Sequence, residues 1–530
     1  MNIENMSNNK ILPSFKDEFC VWSEGVKVSP EYEVSEEYIL PDYLPDIRKI
    51  LFVNAKVEEN DGFIQEGKAE YSGDIVFNVV YMGDTGQVKC VTQAYPYTNY
   101  LSNEAIYDDS VIETVTKVEN RSVRAVSPRK LLLKGKVVSD ISIFNKICVS
   151  PRLIGGSGVE DEFTLERKTD RIDCVNYLQF TESDIRVSED IEYKGKIPVA
   201  EIIYSDADLF MTDCKYSDGK VSIKGSARVK CLLRCSNDGE EGEYEGVEKN
   251  IPIEHTFEVK LPQSDSRCFG RLELGAVEVG IANDSYGENR VLQIDFVCRA
   301  NITAISNSDT IFTDDVFSTV YKYENSYKEV STERLVKCGY SNFSVGGSGE
   351  ISNAEGIKLN RVVLSDADSQ MRLKEVLNGK ANFEGECVVK AVLADEAGNC
   401  TTSELLVPIR FEVPVECSGF NRCTVESSVL DSRVSIDGNR LSVNAEIGLD
   451  YAIYEKITAN SVTSVSIDKS AKATESKDGF VRLYYPEKNE NLWSVAKKYG
   501  ISRASLERAN NRQLSEGLPR VILIPTNTAK

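Results

Sequence analysis

The chain has 530 residues, 41% of them hydrophobic and 28% charged, with a formal charge of −22. That length exceeds what one hydrophobic core can serve, so several domains are expected. The acidic balance argues against general binding to nucleic acid or anionic membrane, which need a cationic face, and no apolar run approaches the roughly 20 residues of a membrane span.

In chain order, the opening MNIENMSNNKILPSF lacks the charged-then-apolar pattern of a secretion signal, so the protein is expected to stay in the cytoplasm. PDYLPD, Pro41 to Asp46, reads as a rigid extended entry to the first domain. A pattern then recurs three times: GKAEYSGDIVFNVVY from Gly67, GKVSIKGSARVKCLLRC from Gly219 and GKANFEGECVVKAVLA from Gly379. Each has a second glycine six residues on, at Gly73, Gly225 and Gly385. Apolar residues alternate along each copy, for example Ile75, Phe77, Val79 and Tyr81, which predicts a long strand with one buried face. A second alternating strand follows each copy. These strands run through Leu131, Leu133 and Val137, through Leu292, Ile294 and Phe296, and through Leu441, Val443 and Ala445. Each is entered by a basic turn, at Pro128-Arg129-Lys130, Glu288-Asn289-Arg290 and Gly438-Asn439-Arg440. The repeats are about 150 to 160 residues apart, which is the size of a domain and too long for a solenoid unit. The chain is therefore expected to be mainly β, with three sandwich-like or open-barrel repeat domains, each of two related halves.

Several motifs invite a chemical reading, and each has a plainer one. Asp206/Asp208 and Asp366/Asp368 lie in two SDAD copies, with Asn54-Ala55-Lys56 at the same offset in the first repeat. Two carboxylates fall short of an oxygen-ligand metal site, so a turn or strand-entry role is expected. GGSG at Gly155–Gly158 and Gly346–Gly349 leads into no phosphate cradle and reads as flexible connection. The fourteen cysteines form no C-x-x-C, and His255 is the only histidine, so reduced core cysteines are expected in place of zinc sites or disulfides. No nucleophile motif accompanies His255. No catalytic, cofactor or metal residue is expected.

The end of the chain changes character. DKSAKATESKD, from Asp468, is a solvated linker by composition. From Val481 to Lys530 there are nine basic and four acidic residues, so this tail carries +5 and the remainder −27. Val481–Tyr485 is a short β-type run. Leu492, Val495, Ala496 and Tyr499 mark one helical face, which Gly500 ends. Ser502 caps a second helix, Arg503–Ala509, and Val521–Ile524 forms a closing strand. The predicted order is β-α-α-β.

This tail resembles a LysM domain. The resemblance rests on Leu492-Trp493, Ala496, Tyr499-Gly500-Ile501-Ser502, Leu506, Asn510 and Ile522-x-Ile524-Pro525. Two loops differ: Asn489-Glu490-Asn491 replaces Gly-Asp-Thr, and Leu518-Pro519-Arg520 replaces a Pro-Gly pair. In sugar-binding LysM domains these loops line the glycan groove, so the departures argue against peptidoglycan. Three β-rich repeats followed by such a tail are similar to the clostridial spore-coat morphogenetic family with SPOCS repeats. LPDYLPDIRKIL and the GK-x-x-x-x-G strands carry that similarity.

The resemblance implies a non-enzymatic scaffold in the mother-cell cytoplasm, at the forespore surface. Its LysM domain would bind the coat ATPase, stage IV sporulation protein A, with other coat proteins as further partners and no insertion into membrane. The alternative is a carbohydrate-binding protein that recognises peptidoglycan. Trp493, Lys497, Lys498, Ile501 and Val481 are the expected partner-binding residues. The expected divisions are an N-terminal segment (1–30), SPOCS-like domains (31–165, 166–330 and 331–467), a linker (468–480) and the LysM domain (481–526).

Overall fold

The computed structural model describes residues 18–60, 62–65, 67–155, 164–237, 242–260, 266–351, 358–396, 398–416, 422–472, 482–511 and 518–525. Among them the fold is mainly β, with two short helices near the C-terminal end.

One six-strand plan appears three times. In the second copy the strands are Leu165–Glu192, Val199–Ser217, Lys220–Cys235, Glu243–Glu258, Arg267–Asn283 and Asn289–Ser318. The first, sixth and fifth make one antiparallel sheet with the sixth at its centre, and the second, third and fourth make another centred on the third. The third copy follows the same order from Tyr321–Glu350 to Arg440–Lys472. In the first copy the opening strand is split into Phe19–Val28 and Glu31–Ile39, and both pair with Lys130–Val149.

The alternation seen in sequence sets the core. Ile75, Phe77, Val79 and Tyr81 meet Leu131, Leu133 and Val137 across the first sandwich. Val229, Cys231 and Leu233 meet Ile294, Phe296 and Cys298 in the second. Cys387 and Val389 meet Val443, Ala445 and Ile447 in the third. The Gly-Lys pairs mark tight hairpins: Asp218-Gly219 and Asn378-Gly379 both have positive φ at each position, as a two-residue type I′ turn requires. The second glycine has another role. A side chain at Gly225 would lie 2.8 Å from the Phe210 carbonyl oxygen, and one at Gly385 would lie 2.8 Å from the Met371 backbone. Neighbouring strands cross closely at these points, so only glycine fits.

The three units close into a ring. Lys89 of the first reaches Glu201 of the second at 2.7 Å. Glu243 of the second meets Arg361 of the third at 3.1 Å. Lys49 of the first donates to the Cys400 carbonyl oxygen of the third at 2.9 Å. Each contact joins the fourth strand of one unit to the second strand of the next. Equivalent residues of all three units, Phe52, Tyr204 and Leu364 with Val80, Leu232 and Val392, share one apolar cluster, as expected about an approximate three-fold axis. A parallel pairing of Arg152–Ile154 with Ser464–Ser466 lays the segment after the first unit along the last strand of the third.

Five local expectations change. The SDAD aspartates lie in mid-strand, not at turns, because the alternation there faces the junction between units. PDYLPD is a turn, with the Leu44 amide donating to the Pro41 carbonyl at 3.0 Å, and Arg129 gathers the Leu40, Pro41 and Leu44 carbonyls around it. Gly346–Gly349 lies within strand Tyr321–Glu350, paired along its length with the last strand of the unit. Of the other GGSG, residues 156–158 lie outside the described residues. Cys20 and Cys148 form a disulfide, where reduced thiols were expected. Strand pairing sets them directly opposite each other although 128 positions separate them in sequence. Asp468–Lys472, expected in the linker, continues the last strand of the third unit.

Candidate partner-binding face

Two places concentrate polar chemistry: the ring axis and the basic tail. At the axis, Asp206 accepts from Asn54 at 2.9 Å and pairs with Lys56 at 2.6 Å. Asp208 is bound by Lys56 and Lys230 at 2.5 Å each and by Arg228 at 2.9 Å. Lys230 also pairs with Asp366 of the third unit. Burial by itself would raise the Asp208 carboxyl, but Lys230, Lys56 and Arg228 hold it well below the usual carboxylate range. Beyond this cluster lies a cavity of about 820 Å³, of mixed lining, bordered on its polar side by Tyr97, Glu113, Arg271, Asn301, Glu426 and Asp450. Burial followed by the charge of Glu426 pushes Asp450 up to about 7. The nearby cations are answered by acids, as where Arg299 meets Glu273 at 2.5 Å. This arrangement ties the three units together. His255 lies on the edge strand Glu243–Glu258, 3.2 Å from Glu182 and stacked on Phe257.

The tail forms a two-stranded sheet, Arg482–Tyr484 with Ile522–Ile524, and two helices, α1 (Leu492–Tyr499) and α2 (Arg503–Ala509). Local signals fix its shape. Asn491 caps α1 in a reciprocal pair with Ser494, and Gly500 ends α1 in the left-handed region at φ 61°. Ser502 caps α2. Asn510 donates to the Leu523 carbonyl at 2.9 Å and accepts from the Leu523 amide at 2.8 Å, which ties the helix end to the closing strand.

The module packs against its own repeats. The Trp493 indole N–H donates to Asp315 Oδ2 at 2.8 Å. Lys497 Nζ donates to both Asp315 oxygens, at 2.8 and 2.6 Å. Phe317 meets the Trp493 ring edge-on at 4.9 Å, and Arg503 reaches Glu166 at 3.4 Å and the Arg167 carbonyl at 3.2 Å. Asn325 and Tyr327 also donate to Asp315, at 3.2 and 3.0 Å, and so steady the receiving carboxylate. Burial would raise Asp315, but the hydrogen bonds from Lys497 and Trp493 lower it overall.

The expected site residues separate. Trp493 and Lys497 share the face just described. Lys498 points the other way, 2.8 Å from the Tyr484 hydroxyl and 3.4 Å from Glu490. Ile501 is 3% exposed, within the module core. Val481 lies outside the described residues. Asp315, Phe317, Glu166 and Arg503 escaped the sequence reading. The one signal that pointed toward them was the contrast between a basic tail and an acidic body.

Residues 46–126 match a family model described as SipL, SPOCS domain. This match supports a SipL-like affiliation and a sporulation coat-related protein. The matched SPOCS segment spans the second to fifth strands of the first unit, including Lys68–Gly83. No curated protein and no solved structure matches the chain. Among the described residues, no helix is long and apolar enough to cross a membrane.

Proposed function

We propose that this chain is a non-enzymatic spore-coat scaffold of the SipL kind. Its LysM-like tail docks on the coat ATPase, stage IV sporulation protein A, and its three-unit ring supplies a rigid acidic body at the forespore surface in the mother-cell cytoplasm. One observation carries the reading: the face built from Trp493, Lys497 and Arg503 already holds a protein surface, with a carboxylate, an aromatic ring and a backbone carbonyl as its contacts. Tryptophan and arginine are the side chains most often found as binding anchors. The match to the SipL SPOCS domain gives the sporulation context. The two loops that depart from the LysM pattern favour protein over glycan.

Capture of the coat ATPase by the full chain tests this. The wild type is expected to retain it saturably. The Lys497→Glu/Arg503→Glu double variant is expected to lose at least about tenfold in affinity while still melting cooperatively as a folded chain. Absence of wild-type capture, together with saturable sedimentation on purified peptidoglycan, would replace this reading with the carbohydrate-binding one.

A further inference from the structure

The tail face is occupied by the chain itself, and the occupant shows what the face selects. Asp315 and Phe317 stand two positions apart near the end of strand Asn289–Ser318, so they lean to the same side of it. The carboxylate fills the donor fork made by Lys497 and the Trp493 indole, and the Phe317 ring covers the indole edge. Arg503 lies over the Trp493 ring at 5.4 Å while it reaches Glu166. A cationic fork beside an aromatic wall selects an acid followed at i+2 by an aromatic residue.

Two features make the contact exchangeable. The two cations that bind are partly exposed, with Lys497 33% and Arg503 46% accessible, so solvent can compete for them, while Trp493 and Phe317 form the buried part of the contact. The partners lie on one chain, with only residues 473–481 between strand Arg440–Lys472 and strand Arg482–Tyr484. The contact therefore forms at the high effective concentration of a tethered ligand and does not need high intrinsic affinity.

We propose that the Trp493–Lys497–Arg503 face recognises Asp-x-Phe-type acidic–aromatic segments of polypeptide, and that Asp315 and Phe317 hold it closed until a partner of the same chemistry displaces them. This rests on the docking reading above and adds the ligand chemistry and its regulation. A partner must pay for opening the closed state, so its apparent affinity is lowered by the closed fraction, and loosening the internal contact raises that affinity.

The test uses the full chain and a fluorescein-labelled synthetic peptide of residues 310–322, followed by fluorescence anisotropy. Asp315→Asn removes the internal carboxylate and leaves the tail face intact. It is expected to bind the peptide about tenfold more tightly than wild type. Glu166→Gln, which loosens only the Arg503 anchor, is expected to give a smaller gain in the same direction and serves as the second variant if Asp315→Asn unfolds. A peptide with Asp315→Asn and Phe317→Ala is expected to bind neither chain. Equal affinity of wild type and both variants would overturn the closed state. Equal binding of the altered peptide would overturn the ligand chemistry. Capture of the coat ATPase is measured separately: its loss with the peptide response intact would refute the named partner alone, and the converse would refute the internal closure alone.

Discussion

Asp450 and Asp208 show how the axis sets two opposite responses to pH. Asp450 lies beside the cavity with its carboxyl raised to about 7 by burial and by Glu426. The folded state favours its protonated form, so the stability it contributes is present below about pH 4 and is lost as pH rises toward 7. Asp208 is lowered by three cations, so its contribution is present above about pH 4 and is lost under stronger acid. Asp450→Asn should therefore stabilise the protein by about 1–2 kcal/mol at pH 8, allowing for cavity solvent, and leave it unchanged at pH 4. Thermal melts at the two pH values check this. An equal gain at both would mean that Asp450 is not titrating in that window.

At the scale of elements, the repeated glycines are the most sensitive points. Gly385→Ala would force a methyl group against the crossing backbone of Gln370 and Met371, neither of which can swing aside. A loss of about 1–3 kcal/mol is expected in chemical denaturation. A neutral result would show that the strands separate freely there. Much of this layer was legible in the sequence. Alternation along Ile75–Tyr81 and Leu441–Ile453 named buried residues, because a period of two with one wet face leaves a clear trace. The tail helices were equally legible, since Gly500, Ser502 and Asn510 are local stop and start signals. The joins between elements were not. Lys230 with Asp366, and Trp493 with Asp315, are meetings of residues 136 and 178 positions apart, and no local pattern records the partner. The SDAD copies show the limit: their spacing was visible, but their place at a shared junction depends on ring closure.

For the whole molecule, shared packing at the axis means that the three units do not stand as independent beads. Leu364 is 4% exposed in a cluster drawn from all three. Leu364→Ala should cost about 2–4 kcal/mol and lower the melt of the entire ring as one transition. An early transition confined to the third unit, seen by limited proteolysis, would argue against a common core. The ring also bears on synthesis. Chains emerge N-terminal end first at roughly 5–20 residues per second. Asn54 and Lys56 of strand Ile47–Glu59 meet Asp206 of the second unit, but Lys49 at its other end finds the Cys400 carbonyl after some 350 further residues have left the ribosome, an interval of roughly 20–70 seconds. The last-made unit is thus the one that completes the flank of the first-made one.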